Sequence, residues 1–272
     1  IGKLLERVPA DRIVAGVRSP DHAVAKRFAA QGIEVRVADY TRPDTLSAAF
    51  AGIDRLLLIS SGSTGDRVTE HGNVIAAAKS AGVALLAYTS LLHADTSPLG
   101  LREDHQRTEA ALKASGIPFV LLRHGWYMEN HMASVPPALA YGAVLGCAGE
   151  GRFSTAARVD YAEAAAVVLA SDGHAGRTYE LAGDAGYTLA DLAATIAKVA
   201  GKPVAYKDMA LADFREALIG MGLPKHVADL IADADVGASR GGLEDDGRQL
   251  SALIGRPTTP LRQMVEQAIS AA

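Results

Sequence analysis

Arg55-Leu-Leu-Leu-Ile-Ser60 and Val83-Ala-Leu-Leu-Ala-Tyr-Thr89 bracket a stretch of helical length, residues 66–81, that closes on Gly82. Runs that are apolar on both faces suit strands buried in a parallel sheet, and the helix between them carries the chain back to start the next strand. The same unit repeats on either side. Arg12-Ile-Val-Ala-Gly-Val-Arg18, Ile33-Glu-Val-Arg-Val-Ala-Asp39 and Phe119-Val-Leu-Leu-Arg123 read as strands, and residues 21–31, 44–50 and 103–115 as helices. Strand and helix alternating at this spacing predict an α/β fold with a doubly wound, Rossmann-like parallel sheet. Pro20-Asp21 and Pro43-Asp44 stand where helices start, while Gly32, Gly52, Gly82 and Gly116 follow helical stretches as left-handed caps do.

After Trp126 the pattern changes. Residues 129–141, 160–171, 188–200, 211–222, 224–234 and 261–271 read as helices, Thr178-Tyr-Glu-Leu-Ala182 as a short strand, and the Gly-rich, charged stretch 238–247 as a loop. The expected division is a dinucleotide-binding core over residues 1–128 and a smaller α/β lobe on the substrate side over 129–272, with some segments returning to the core. The 27 Lys and Arg set against 31 Asp and Glu leave a formal charge of -4, with 49% hydrophobic residues. That balance is globular, and it argues against a nucleic-acid binder, which needs clustered positive charge. One cysteine, Cys147, forbids an internal disulfide and fits a reducing compartment. No apolar run approaches the roughly 20 residues of a membrane span, and no signal-peptide layout opens the chain. The expectation is a cytoplasmic protein, monomer or homodimer, with no membrane or nucleic-acid partner. No His, Cys, Asp or Glu cluster has metal-ligand spacing, and Ser90 lacks a Gly-x-Ser-x-Gly setting.

A dinucleotide-binding sheet opens with a strand, a glycine-rich turn and a helix whose N-terminus receives the pyrophosphate. Ile1-Gly-Lys-Leu-Leu-Glu-Arg7 reads as the last turns of that helix. Either the sequence begins about 15 residues late, by one strand and one turn of such a unit, or the loop is absent.

Three long segments are more specific: Leu86-Ala-Tyr-Thr-Ser-Leu-Leu-His-Ala-Asp-Thr-Ser-Pro-Leu-Gly-Leu101, Leu121-Leu-Arg-His-Gly-Trp-Tyr-Met-Glu-Asn130 and Asp233-Ala-Asp-Val-Gly-Ala-Ser-Arg-Gly-Gly-Leu243. Together they resemble the NAD(P)H:quinone oxidoreductase type 2 group, close to the triphenylmethane reductases, within the NmrA-like atypical short-chain dehydrogenases. The likeness runs over essentially the whole chain. Two departures stand out: the Gly-x-x-Gly-x-x-Gly loop of that group is not in this sequence, and Arg123-His124-Gly125-Trp126-Tyr127 stands where the group usually has Arg-Asn-Gly-Trp-Tyr. Imidazole can replace an amide as a donor and can also take a charge, so His124 would retune a nicotinamide pocket.

The resemblance implies an NADP(H) cofactor and a set of residues on the cofactor side, and the expected preference for NADPH over NADH rests mainly on Arg18. Arg18 ends the first visible strand, where an acidic residue takes the ribose of NAD and an Arg suits the extra phosphate of NADP; the competing reading is a solvated surface Arg. Asp39 and Tyr40 end the next strand, where they either border the adenine or simply start a turn that Asp39 caps. Ser60, Ser61 and Gly62 are small enough for a nucleotide to pass close, and Thr89, His105, His124, Gly125 and Trp126 complete the expected cofactor side. His93, Trp126, Tyr127 and Asn130 are the expected acceptor side; Trp126 is the only Trp and reads either as a stacking platform or as a core residue.

Short-chain dehydrogenases usually carry a Tyr-x-x-x-Lys pair that protonates the product. In the NmrA-like pattern, Leu101 takes the Tyr place and His105 the Lys place. A leucine transfers no proton. Reduction of an isolated ketone makes a strongly basic alkoxide that needs a positioned acid, whereas a quinone gives a phenolate with a conjugate-acid pKa of about 10, which water can protonate. A cationic dye needs no proton at the receiving carbon. The expected activity is therefore NADPH-dependent hydride transfer to a quinone or a similar planar electrophile. The alternative is a non-catalytic NADP-binding redox sensor acting through a protein partner, which the missing pair fits equally well.

Overall fold

The computed structural model describes residues 1–62 and 66–271. In chain order the elements are α1 (Gly2–Leu5), β1 (Val14–Val17), α2 (Ala23–Ala30), β2 (Glu34–Val37), α3 (Pro43–Ala49), β3 (Arg55–Leu58), α4 (Arg67–Ser80), β4 (Leu85–Leu91), α5 (Arg102–Ser115) and β5 (Phe119–His124). They continue with α6 (Met128–Met132), α7 (Val135–Tyr141), β6 (Ala143–Gly146), α8 (Arg158–Ala170), β7 (Thr178–Leu181), α9 (Leu189–Ala200), β8 (Ala205–Asp208), α10 (Leu211–Gly220), α11 (Lys225–Ser239), α12 (Gln249–Ile254) and α13 (Leu261–Ser270). The α/β class and the parallel pairing agree with the sequence expectation: β1 pairs with β2, β3 with β4, and β6 with β8, each in parallel.

The chain divides into two compact units. The first comprises Ile1–Leu91, Glu103–Arg123 and Ala162–Tyr179; the second comprises Leu92–Arg102, His124–Tyr161 and Glu180–Ala272. The four-stranded sheet runs in the order β3-β4-β5-β7. All seven residues of β4 are buried, which is why Leu85, Leu86, Ala87 and Tyr88 run on without polar alternation. In the first unit Leu46, Leu58, Val74, Leu86, Tyr88 and Leu121 anchor one core. Truncating one of these leucines to Ala would cost about 2–5 kcal/mol through lost burial and the cavity left behind. Ile13, Ala15 and Ile33 form a second core beneath β1 and β2. In the second unit Phe214, Leu218, Ala228 and Ala232 pack α10 against α11.

Local chemistry sets the boundaries. Pro43 occupies the first turn of α3, and Asp66 caps α4 by accepting the Thr69 N–H. Thr188 and Asp191 form a reciprocal capping box at the start of α9. Gly32, Gly52, Gly82 and Gly116 all take positive φ, as expected of caps.

The structure differs from the sequence reading in four places. The single helix expected over 129–141 is two helices, because Pro136 and Pro137 restart the backbone at the first turn of α7. The helix expected over 224–234 continues to Ser239 as α11, so the loop expected from 238 begins later. Strands β6 and β8 were not expected; each has four residues, and β8 has a mostly exposed face with little apolar signal. Helix α12 was not expected either, and it starts from Arg248 in a left-handed conformation. Among the described residues, no helix is long and apolar enough to cross a membrane.

Candidate active site

In the first unit the strand ends carry the candidate residues. Arg18 follows β1, is exposed, and makes no hydrogen bond or ion pair among the described residues. Asp39, past the end of β2, is committed locally: its Oδ1 accepts the Thr41 N–H at 3.0 Å and the Thr41 hydroxyl at 2.8 Å. Those bonds, with Arg42 and Arg18 nearby, hold its carboxyl below the usual range. This is the turn-capping role, and it leaves Oδ2 for a ligand. The Tyr40 hydroxyl donates to the Ile59 carbonyl at 3.4 Å, so the ends of β2 and β3 are joined, and burial pushes that phenol up to about 12. Asn73 Nδ2 donates to the Tyr40 carbonyl at 2.9 Å from α4.

The turn after β3 is tied down at several points. Ser60 N–H donates to Thr89 Oγ1 at 2.8 Å, and Ser61 N–H donates to Nε2 of His71 at 2.9 Å. Ile59 is 59% exposed beside them. A Cβ added to Gly62 would meet nothing within 4 Å among the described residues. A dinucleotide needs an uncommitted cation for a phosphate, a rigid backbone edge and room to approach it, and Arg18, Ser60–Ser61 and Gly62 are the candidates for these roles. His105 does not join this group. It is buried on α5 with Nδ1 2.8 Å from the Tyr88 hydroxyl, whose ionisation burial drives sharply upward.

In the second unit His124, Gly125 and Tyr127 come together. The His124 ring stacks on Tyr161 at 4.4 Å between centroids, and its Nδ1 lies 3.3 Å from the Tyr127 hydroxyl. Burial drives the imidazole pKa down to about 3, so the ring is neutral at any ordinary pH. His124 Nε2 is buried without a hydrogen-bond partner among the described residues. A buried polar atom left unmatched is costly, and a ligand is one way to match it. Gly125 packs closely here: a Cβ would sit 3.2 Å from the Tyr161 hydroxyl and 3.4 Å from the Leu181 carbonyl, tight enough that the phenol would have to shift by a few tenths of an ångström. The Arg158 guanidinium lies 5.2 Å over the Tyr127 ring, and Arg158 Nη2 donates to Asn130 Oδ1 at 3.3 Å. Trp126 is half-buried between these neighbours in sequence.

His93 belongs to a separate set in the same unit. Its φ is 50°, a left-handed value rare for a residue with a side chain, and strain of this kind gathers at functional positions. Its N–H donates to Glu180 Oε2 at 2.8 Å, and its Nε2 lies 3.3 Å from Asp245 Oδ2.

Sequence reasoning missed His71, Tyr161, Glu180 and Asp245. His71 carried a signal: Val74, Ile75 and Ala78 follow at helical spacing and are buried, so His71 shares their inward face. The others lie far from their partners in sequence and no spacing announces them. Among the described residues no group of His, Cys, Asp and Glu could hold a metal.

Residues 1–172 match the profile of a family described as NAD(P)H-binding. The chain is 54% identical to quinone oxidoreductase 2 of Escherichia coli (strain K12), over 97% of this chain and 92% of that protein. The crystal structure of the NADPH-dependent quinone oxidoreductase from Escherichia coli, complexed with NADPH, superposes with a TM-score of 0.95 at 53% identity, covering 98% of this chain and 94% of that one. Triphenylmethane reductase from Citrobacter sp., complexed with NADP(H), superposes with a TM-score of 0.94 at 34% identity, again covering 98% and 94%.

Proposed function

We propose that this chain, which belongs to the NAD(P)H-binding family, reduces quinones and comparable planar electrophiles at the expense of NADPH. The observation that carries this reading is the missing acid. Leu101 and His105 stand at the places of the usual Tyr and Lys, and His105 Nδ1 is spent on the buried Tyr88 hydroxyl. An acceptor whose reduced form is a phenolate, with a conjugate-acid pKa of about 10, takes its proton from water and needs no such pair. The redox-sensor reading is not favoured, since identity to a quinone oxidoreductase runs over 97% of the chain.

When bound, NADPH supplies the hydride. Arg18 is assigned to the 2′-phosphate, where a guanidinium fork donates bidentate bonds to phosphate oxygens. Ser60, Ser61 and Gly62 form the rigid edge for the ribose and phosphates, with Thr89 holding Ser60. Asp39 and Tyr40 border the adenine. His124, uncharged, offers Nε2 as a neutral polar contact for the nicotinamide side, and Gly125 and Trp126 flank it. Trp126, Tyr127, Asn130 and His93 are assigned to the acceptor, whose flat rings stack on aromatic faces. The chain's contribution is position and orientation rather than proton transfer. The single half-buried Cys147 suits a reducing, cytoplasmic setting. The test is loss of NADPH absorbance on adding a simple benzoquinone to the purified full-length protein. Turnover well above the uncatalysed background is expected; none above it would remove the proposal.

A further inference from the structure

Ser61 is held at both its backbone N–H and its backbone carbonyl by one helix. His71 Nε2 accepts the Ser61 N–H at 2.9 Å, and Arg67 Nε donates to the Ser61 carbonyl at 2.9 Å; both side chains come from α4. Arg67 is itself steadied by Asp104, with Nη1 2.9 Å from Oδ2. His71 is fully buried, and its Nδ1 lies 3.0 Å from Thr108 Oγ1. The Thr108 hydroxyl donates its own proton to the Asp104 carbonyl at 2.9 Å. Thr108 can therefore only accept from the ring, which places the imidazole proton on Nδ1 and leaves the Nε2 lone pair for Ser61. A doubly protonated ring would set an N–H against an N–H. The device works only as a neutral imidazole in one tautomer.

A backbone N–H at the end of a parallel strand must be paired or left for a ligand. Here His71 takes it, so the turn has its shape before any ligand arrives, and less ordering remains to be done on binding. We propose that His71 is a positioning residue of the dinucleotide site, setting the Ser60–Gly62 edge through its bond to the Ser61 N–H. This rests on the function proposed above. His71 touches no ligand in this role; it acts through Ser61. The charged and titratable groups around it are Arg67 and Glu70 on α4, Asp104 on α5 and Tyr88 on β4, whose ring meets the imidazole edge-on at 5.4 Å.

Two substitutions separate the functions of the two nitrogens. His71→Gln can place a carboxamide oxygen near the Nε2 position and keep the bond to Ser61, whereas His71→Asn reaches only as far as Nδ1. NADPH affinity by fluorescence titration and Ser61 amide exchange in the ligand-free protein are the readouts, with thermal melts to confirm folding. His71→Asn is expected to weaken NADPH binding about tenfold, the worth of one buried hydrogen bond, with kcat at saturating NADPH little changed. The Ser61 amide loses protection in that variant, and His71→Gln restores both. Should His71→Asn fail to fold, Thr108→Val serves instead: it frees the tautomer without touching the turn and is expected to weaken binding by a smaller factor. A folded His71→Asn that binds NADPH like the wild type, or a Thr108→Val with unchanged affinity and unchanged Ser61 protection, overturns the proposal. Wild-type protein with no NADPH affinity overturns the proposed function itself, and this role with it.

Discussion

Arg123 forks onto Glu109, with Nε 2.9 Å from Oε1 and Nη2 2.7 Å from Oε2, and both side chains are nearly sealed from water. Ser90 adds a third bond by donating its hydroxyl to Glu109 Oε1 at 2.6 Å. One carboxylate thus binds the ends of β4 and β5 to α5. Ser90 is occupied as a donor, and the carboxylate beside it is neutralised by Arg123, so no base is available to activate it. The serine is part of the frame that holds the strand ends in place.

Breaking this pair from one side should therefore be expensive. Arg123→Met leaves Glu109 buried with its charge uncompensated and is expected to cost about 3–5 kcal/mol in urea unfolding. Replacing both residues by Met should recover most of that loss, because an apolar pair of similar volume needs no desolvation. Ser90→Ala is expected to cost about 1 kcal/mol. A single Arg123→Met variant as stable as the wild type would show that the pair contributes nothing to the frame.

Arg123 also marks how far the sequence could be read. The strand ending there was legible because Phe119–Leu122 is a plain apolar run, and an Arg inside a buried run demands a carboxylate. Nothing in the sequence said which carboxylate, since Glu109 lies on another element and the choice is made by packing. The α/β order was legible for the same reason that β4 was: burial on both faces writes itself as continuous hydrophobicity. Strand β8 was not, because its pattern of exposure leaves Ala205, Lys207 and Asp208 looking like loop. At the site, the strand-end position of Arg18 and Ser60 followed from spacing. The inward face of His71 was readable from helical spacing, but the bonds from Ser61 to His71 and from Ser60 to Thr89 were not, because a side chain's partner on a neighbouring element has no linear signature.

Arg18 provides the test of cofactor choice. An exposed guanidinium without a partner among the described residues costs little stability when removed, so its effect should appear in binding alone. Arg18→Ala is expected to raise the KM for NADPH about 10–100-fold, the worth of charge-assisted bonds to one phosphate, and to leave the KM for NADH nearly unchanged. Arg18→Lys should fall between, since the charge remains but the planar fork is lost. Equal effects on both nucleotides would place the side chain away from the 2′-phosphate.

Acid stability should be governed by buried histidines. Burial holds His71 and His131 down to about 4 and His124 to about 3, against 6.5 in the unfolded chain. Between those values the unfolded state binds more protons than the folded one, so stability rises with pH through this window and is lost as the pH falls from about 6.5 toward 4. His131→Gln, which can keep a polar contact with the Tyr187 hydroxyl now 2.8 Å from Nδ1, is expected to be less acid-sensitive than the wild type over that range. Urea midpoints measured from pH 7 to pH 4.5 should converge for the two proteins as the pH falls; parallel curves would show that His131 titrates normally.

Asp235 has the opposite sign. It is 4% exposed, its Oδ2 accepts the Cys147 N–H at 2.8 Å, and burial together with the nearby Asp208 raises its carboxyl to about 7. In the unfolded chain the same carboxyl has its ordinary pKa of 3.8. Between those two values the folded state holds the extra proton, so this group's contribution to stability is present in full at the acid end and is lost as the pH rises toward 7. Asp235→Asn keeps an oxygen for the Cys147 N–H and removes the charge. The variant is therefore expected to match the wild type near pH 4, to become progressively more stable than it up to pH 7, and to keep a constant advantage above that. The gain at pH 8 should appear as a rise of a few degrees in Tm, given roughly 2–4 °C per kcal/mol for a chain of this size. A difference between the two proteins that is the same at pH 5 and pH 8 would show that Asp235 is ionised throughout and that the cluster around Cys147 tolerates its charge.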